Sequence, residues 1–104
     1  MKAEVTPFDA AEHLDNEEVI AAFLAGSWQD SLEDDNPDLF VRALSAVARA
    51  RGMTRLARDS GLGRESLYKA LTPGRKPQFA TTARIMRGLD VRLDLRPSSG
   101  AAPK

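Results

Sequence analysis

Cysteine is missing from this 104-residue chain, which excludes both disulfide staples and thiolate metal ligands. Histidine occurs once, as His13, alone in an acidic segment with no serine, cysteine or metal-ligand cluster beside it. Catalysis, a metal site and a bound cofactor are therefore not expected. Long apolar runs are also lacking. The longest, Val19 to Ala25, falls far short of the roughly 20 residues of a membrane span, and no charged-then-apolar leader opens the chain. The expectation is one small cytoplasmic domain with no membrane partner. A domain of this size buries only roughly 60–68% of its unfolded surface, so its elements must pack efficiently or borrow a partner's surface.

Basic residues are almost absent from one end. Residues 1–40 hold Lys2 against eleven acidic side chains, a net of −10, and residues 41–104 hold 14 basic and 4 acidic side chains, a net of +10. A field divided this way suits a polyanion at the basic end and a cationic partner at the acidic end. Two solvated faces of one fold are the plainer reading of the same numbers.

The punctuation predicts an all-α fold of about five or six short helices. Asp15 with Glu18 has the spacing of a capping box, Val19, Ile20, Phe23 and Leu24 form a stripe, and Gly26 ends a helix over about 16–25. Trp28 and Leu32 then share one face of a short turn before the acidic loop Glu33, Asp34, Asp35. Asn36 and Pro37 open a second helix carrying Phe40, Leu44, Val47 and Ala48 as far as Gly52. Segments Thr54 to Asp59 and Arg64 to Leu71 flank a tight turn, and Thr72, Pro73, Gly74 and Pro77 mark a loop. Phe79, Ala83, Met86 and Leu89 predict a last helix ending near Gly88.

Function concentrates in Met53 to Leu71, MTRLARDSGLGRESLYKAL. A helix-turn-helix needs a small residue where its helices touch, a glycine in the turn and apolar inner faces, here Ala57, Gly61 and Leu56, Leu62, Leu67 and Leu71. This spacing resembles the motif of phage-repressor-like regulators, with Arg64 to Leu71 as recognition helix. With Leu67, Ala70 and Leu71 inward, Glu65 and Lys69 point outward, Tyr68 lies nearer the flank and Arg64 occupies the first turn, the part that reaches base edges. Arg64 matches guanine O6 and N7, Glu65 matches cytosine N4, Lys69 suits a base or a phosphate, and Ser66 with the first amides suits phosphate oxygens. Arg49, Arg51, Arg55, Arg58, Arg75 and Lys76 are candidate phosphate contacts. Two short helices joined by glycine also occur as plain packing. Against that, residues 42–58 hold five arginines and no acid.

Beyond Gly88 the period changes. Val91, Leu93 and Leu95 alternate with Arg92, Asp94 and Arg96, the pattern of a short C-terminal β-strand that Pro97 ends. One strand is not stable alone, and an antiparallel partner centred on Leu93 sets Arg92 against Asp94, Asp90 against Arg96 and Val91 against Leu95. A homodimer joined by Val91, Arg92, Leu93, Asp94 and Leu95 follows as an expectation, a strand folding back on its own domain being the alternative. The chain thus divides into an acidic helical region, 1–36, a DNA-binding domain with its strand, 37–96, and a disordered tail, 97–104.

Phe8, Asp9, Leu14, Ala43, Leu44, Ala48, Arg49, Gly52 and Met53, with the block Gly61, Leu62, Arg64, Glu65, Leu67, Tyr68 and Leu71, resemble the antidote proteins of type II toxin–antitoxin modules, the HigA-like helix-turn-helix group. The resemblance implies an antitoxin that sequesters a small basic RelE-like mRNA-cleaving toxin and represses its own operon. The family commonly has Gly-Asn before the proline after the recognition helix, where this chain has Arg75 and Lys76 before Pro77. A toxin that holds RNA phosphates has a basic groove, which makes Glu12, Asp15, Glu17, Glu18, Asp30, Glu33, Asp34 and Asp35 candidate toxin contacts. Phe23 and Trp28 are then candidate apolar anchors, although aromatics at such positions are more often core residues. The expected partners are a cognate toxin, double-stranded operator DNA and a second copy of the chain. A stand-alone, phage-derived helix-turn-helix regulator and a helical adaptor that touches no nucleic acid are the alternatives.

Overall fold

The computed structural model describes residues 16–72 and 74–97, which form five α-helices and no strand. They are α1 (Glu17–Glu33), α2 (Asp38–Arg51), α3 (Met53–Ser60), α4 (Arg64–Ala70) and α5 (Phe79–Gly88). Glu12, His13 and Asp15, and the tail from Ser98 onward, lie outside the described residues.

The first helix departs most from expectation. Its cap is Asn16, whose side chain accepts from the amides of Glu18 at 2.7 Å and Val19 at 3.1 Å, while Glu17 and Glu18 complement the positive end of the helix dipole. Gly26 does not end it: the helix runs on to Glu33. A glycine inside a helix costs only about 0.5–1 kcal/mol relative to alanine. The continuation keeps Trp28 edge-on against Phe40 of α2, ring centroids 5.4 Å apart, so packing between helices outweighs the local penalty. Trp28 and Leu32 are therefore residues of α1, not of a separate turn.

The remaining helices keep close to their expected bounds. The Asn36 side chain accepts from the amide of Asp38 at 3.2 Å, and Gly52, at φ 101°, separates α2 from α3. Gly61 takes the left-handed conformation, φ 77°, which lets its amide reach the Ala57 carbonyl at 3.1 Å and turns the chain into α4. Buried Ser60 supports the turn, its hydroxyl accepting from the amide of Leu62 at 3.3 Å.

One core joins all five helices: Ile20 and Leu24 from α1; Ala43, Leu44, Val47 and Ala48 from α2; Met53 and Leu56 from α3; Leu67 from α4; Ile85 and Met86 from α5, with Leu71 and Leu89 just beyond their helices. Ala57, the expected small contact residue, is half-buried against this core. A tighter approach occurs elsewhere. A β-carbon on Gly88 would stand 2.8 Å from Leu56 Cδ1 and 3.0 Å from Ser60 Cβ, so this glycine lets α5 press against α3.

Val91 to Pro97 has no regular secondary structure. The Val91 amide donates to the Met86 carbonyl at 2.9 Å, closing the end of α5. A strand exists only with a ladder partner, and residues 92–97 find none among the described residues of the single chain.

Candidate functional site

Leu67 and Leu71, both buried, pin α4 to the core with Ala70 packed beside them, so the helical period turns Tyr68 and Lys69 outward. Arg64, Glu65, Ser66, Tyr68 and Lys69 are all exposed on α4.

Tyr68 organises that face. It lies beneath two guanidinium groups, with Arg64 Cζ 5.7 Å and Arg49 Cζ 6.0 Å from its ring centroid, and Arg64 Nη2 donates to its hydroxyl at 3.3 Å. Cation–π contacts at exposed sites contribute about 0.5–1 kcal/mol each and hold long side chains in place. Arg49 belongs to α2 and donates through Nε to the Ser45 hydroxyl at 3.3 Å, so Tyr68 couples a second helix to the exposed face.

The loop after α4 is anchored across the molecule. Asp38 Oδ1 accepts from the Gly74 amide at 2.8 Å while its Oδ2 faces Arg42 Nε at 3.4 Å. This bond ties the segment carrying Arg75 and Lys76, both exposed, to the start of α2. Arg55 and Arg58 share Asp59, at 3.7 and 3.3 Å, but stay largely exposed, so their charges remain open to a polyanion. Arg51 does not belong with these phosphate candidates. Its side chain is only 10% exposed and its Nη2 lies 3.6 Å from Glu17 Oε2, which makes it a tie between α2 and α1.

At the opposite end of the sequence, α1 carries the acidic candidates. Glu17, Glu18 and Asp30 are exposed; Glu17 is the partner of Arg51. Phe23 packs against the core, whereas Trp28 and Leu32 stand about half exposed beside Glu33, Asp34 and Asp35. Phe23 and Trp28 thus part company. Of the C-terminal residues, Val91 is half-buried against the core, and Arg92, Leu93, Asp94 and Leu95 are exposed. Among the described residues no cluster of acidic or histidine side chains could hold a metal, and no helix is long and apolar enough to cross a membrane.

The fold and its surfaces define a small helical protein in which arginines flank the exposed side of α4 and acidic side chains are exposed on α1 and the loop after it. The chain belongs to the family described as probable addiction module antidote proteins, whose model matches residues 4–97. It is also similar to an uncharacterised protein of Haemophilus influenzae, 41% identical over 98 residues that cover 94% of this chain and 97% of that protein. No solved structure matches it. An antidote family implies a cognate toxin as partner.

Proposed function

We propose that this protein is the antitoxin of a type II module of the HigA-like group, binding and neutralising a small basic RelE-like mRNA-cleaving toxin and repressing its own operon. It acts by binding, without catalysis. The observation that carries the DNA half is the outward face of α4, fixed from below by Leu67 and Leu71 and braced at Tyr68 by Arg49 and Arg64. With α3 and the Gly61 turn this face serves as a helix-turn-helix. Arg64, Glu65 and Lys69 read base edges, and Ser66, Arg55, Arg75 and Lys76 contact phosphates. The toxin half is supported by the family and by the exposed apolar pair Trp28 and Leu32 within an acidic surround of Asp30, Glu33, Asp34 and Asp35.

Two measurements test this. Co-expression with the product of the neighbouring reading frame should yield a stable complex and relieve growth arrest, and Trp28→Ala should weaken that complex about 30-fold or more, as interface aromatics do. Mobility shift on the chain's own promoter should fall steeply with salt, and Arg64→Ala should flatten sequence preference. A complex with toxin but no promoter binding at low salt overturns the repressor half. Promoter binding with no toxin beside it favours the stand-alone regulator.

A further inference from the structure

We propose that Asp38 is a positioning residue for DNA binding: from the first turn of α2 it locks the loop after α4, so that Arg75 and Lys76 meet the duplex backbone in fixed register with the exposed side of α4. The inference rests on the reading of α4 as the DNA-contacting helix, and it gives a role to a side chain that itself needs no contact with DNA.

Three hydrogen bonds build the loop. The Thr72 hydroxyl donates to the Tyr68 carbonyl at 2.7 Å, which carries the end of α4 into the loop. The Arg75 amide donates to the Thr72 carbonyl at 3.1 Å, closing a turn in which Gly74 takes φ 88°. The Gly74 amide then donates to Asp38 Oδ1 at 2.8 Å, and no other hydrogen bond among the described residues joins this loop to α2. The first two bonds fix the shape of the loop. The third fixes where that shape sits relative to the rest of the fold.

The carboxylate is itself held. Its Oδ2 lies 3.4 Å from Nε of Arg42, one turn further along α2, so it cannot rotate without losing a contact to the loop or to the arginine. Charge alone argues against an acid at this place, because a negative group beside Arg75 and Lys76 lowers the attraction of the loop for phosphates. What Asp38 supplies is geometry. Long basic side chains lose freedom when they grip a phosphate, and a loop that is already ordered has less left to lose. The charge of Asp38 also complements the positive end of the α2 dipole, a contribution that Asn and Ala lose alike.

Asp38→Asn and Asp38→Ala separate these effects, because both remove the charge and only the first keeps an acceptor for the Gly74 amide. Arg42 is largely exposed and can turn away from the new amide group. Neither change touches the buried core, so both variants should fold, as circular dichroism and thermal unfolding would check. In the free protein, the Gly74 amide should exchange with solvent about tenfold faster in Asp38→Ala than in Asp38→Asn. In mobility shift on the chain's own promoter, Asp38→Ala should bind about fivefold or more weakly than Asp38→Asn. Adding Arg75→Ala together with Lys76→Ala should cost about tenfold or more in the Asn background, with the salt slope falling by about 2, and about threefold or less in the Ala background. Equal cost of the paired substitution in the two backgrounds, with promoter binding intact, means a merely structural Asp38 and overturns the proposal. So does equal exchange of the Gly74 amide in the two variants. A wild-type chain that binds no promoter DNA at low salt overturns the repressor reading and the role of Asp38 with it, so the two failures are told apart.

Discussion

Two glycines with one chemical identity have opposite meanings in this protein, one set by local helix propensity and the other by packing between helices. Gly26 lies exposed in the middle of α1 with nothing within 4 Å of where a β-carbon would stand, so Gly26→Ala should stabilise the fold by about 0.5–1 kcal/mol through helix propensity. Gly88 lies where α5 crosses α3, and an added β-carbon would meet Leu56 Cδ1 at 2.8 Å and the Ser60 backbone nitrogen at 3.1 Å. The backbone atom cannot give way as a side chain can. Overpacking costs about 1–3 kcal/mol, against a propensity gain of at most about 1, so Gly88→Ala should destabilise by about 1–2 kcal/mol. At about 4–8 °C per kcal/mol for a domain of this size, thermal unfolding of the two variants should shift in opposite directions by readily measured amounts. A Gly88→Ala protein as stable as the wild type would show that the two helices can move apart at no cost.

Elements were legible where caps and period agreed. Asn36 with Pro37, the glycines at 52 and 61, and the leucines at 67 and 71 located α2, α3 and α4 closely, and the same leucines fixed which face of α4 is exposed. The true length of α1 was not legible, because Gly26 is a stop by local rules and only the packing of Trp28 on Phe40 overrides it. The same limit applies to the site. The bond from the Gly74 amide to Asp38 spans 36 residues, and Arg49 reaches Tyr68 from another helix, so neither follows from periodicity within one segment. Tyr68 gives the element-scale test. Tyr68→Phe removes only the hydroxyl that receives Arg64, whereas Tyr68→Ala also removes the ring beneath both arginines. With two exposed cation–π contacts contributing about 1–2 kcal/mol together, promoter affinity should fall about 5–30-fold for alanine and less for phenylalanine. Tighter binding by the alanine variant would mean that the ring competes with DNA for the arginines.

For the whole molecule, the zero net charge is a sum of an acidic stretch, residues 1–40, and a basic stretch, residues 41–104, and the two proposed partners are drawn to opposite ones. Acidic residues of α1 and the loop after it lower the attraction of the basic end for any polyanion, an effect that salt screens beyond about 8–10 Å. Replacing Glu33, Asp34 and Asp35, all exposed, by Gln, Asn and Asn removes three negative charges and leaves the buried packing untouched. Asparagine also tolerates the left-handed backbone at position 35, where φ is 51°. The triple variant should keep its thermal stability and bind unrelated duplex DNA several-fold more tightly at low salt, with the difference fading as salt rises. Its association with a basic toxin should slow while dissociation changes little, because charges at an interface rim act on encounter. Occupation of the acidic face by such a toxin neutralises the same field. Toxin binding and the triple substitution should therefore shift non-specific DNA affinity in the same direction, and in the variant the toxin's effect should shrink. Opposite shifts would mean that the toxin acts on the DNA-reading helix by touching or obstructing it, not through the field.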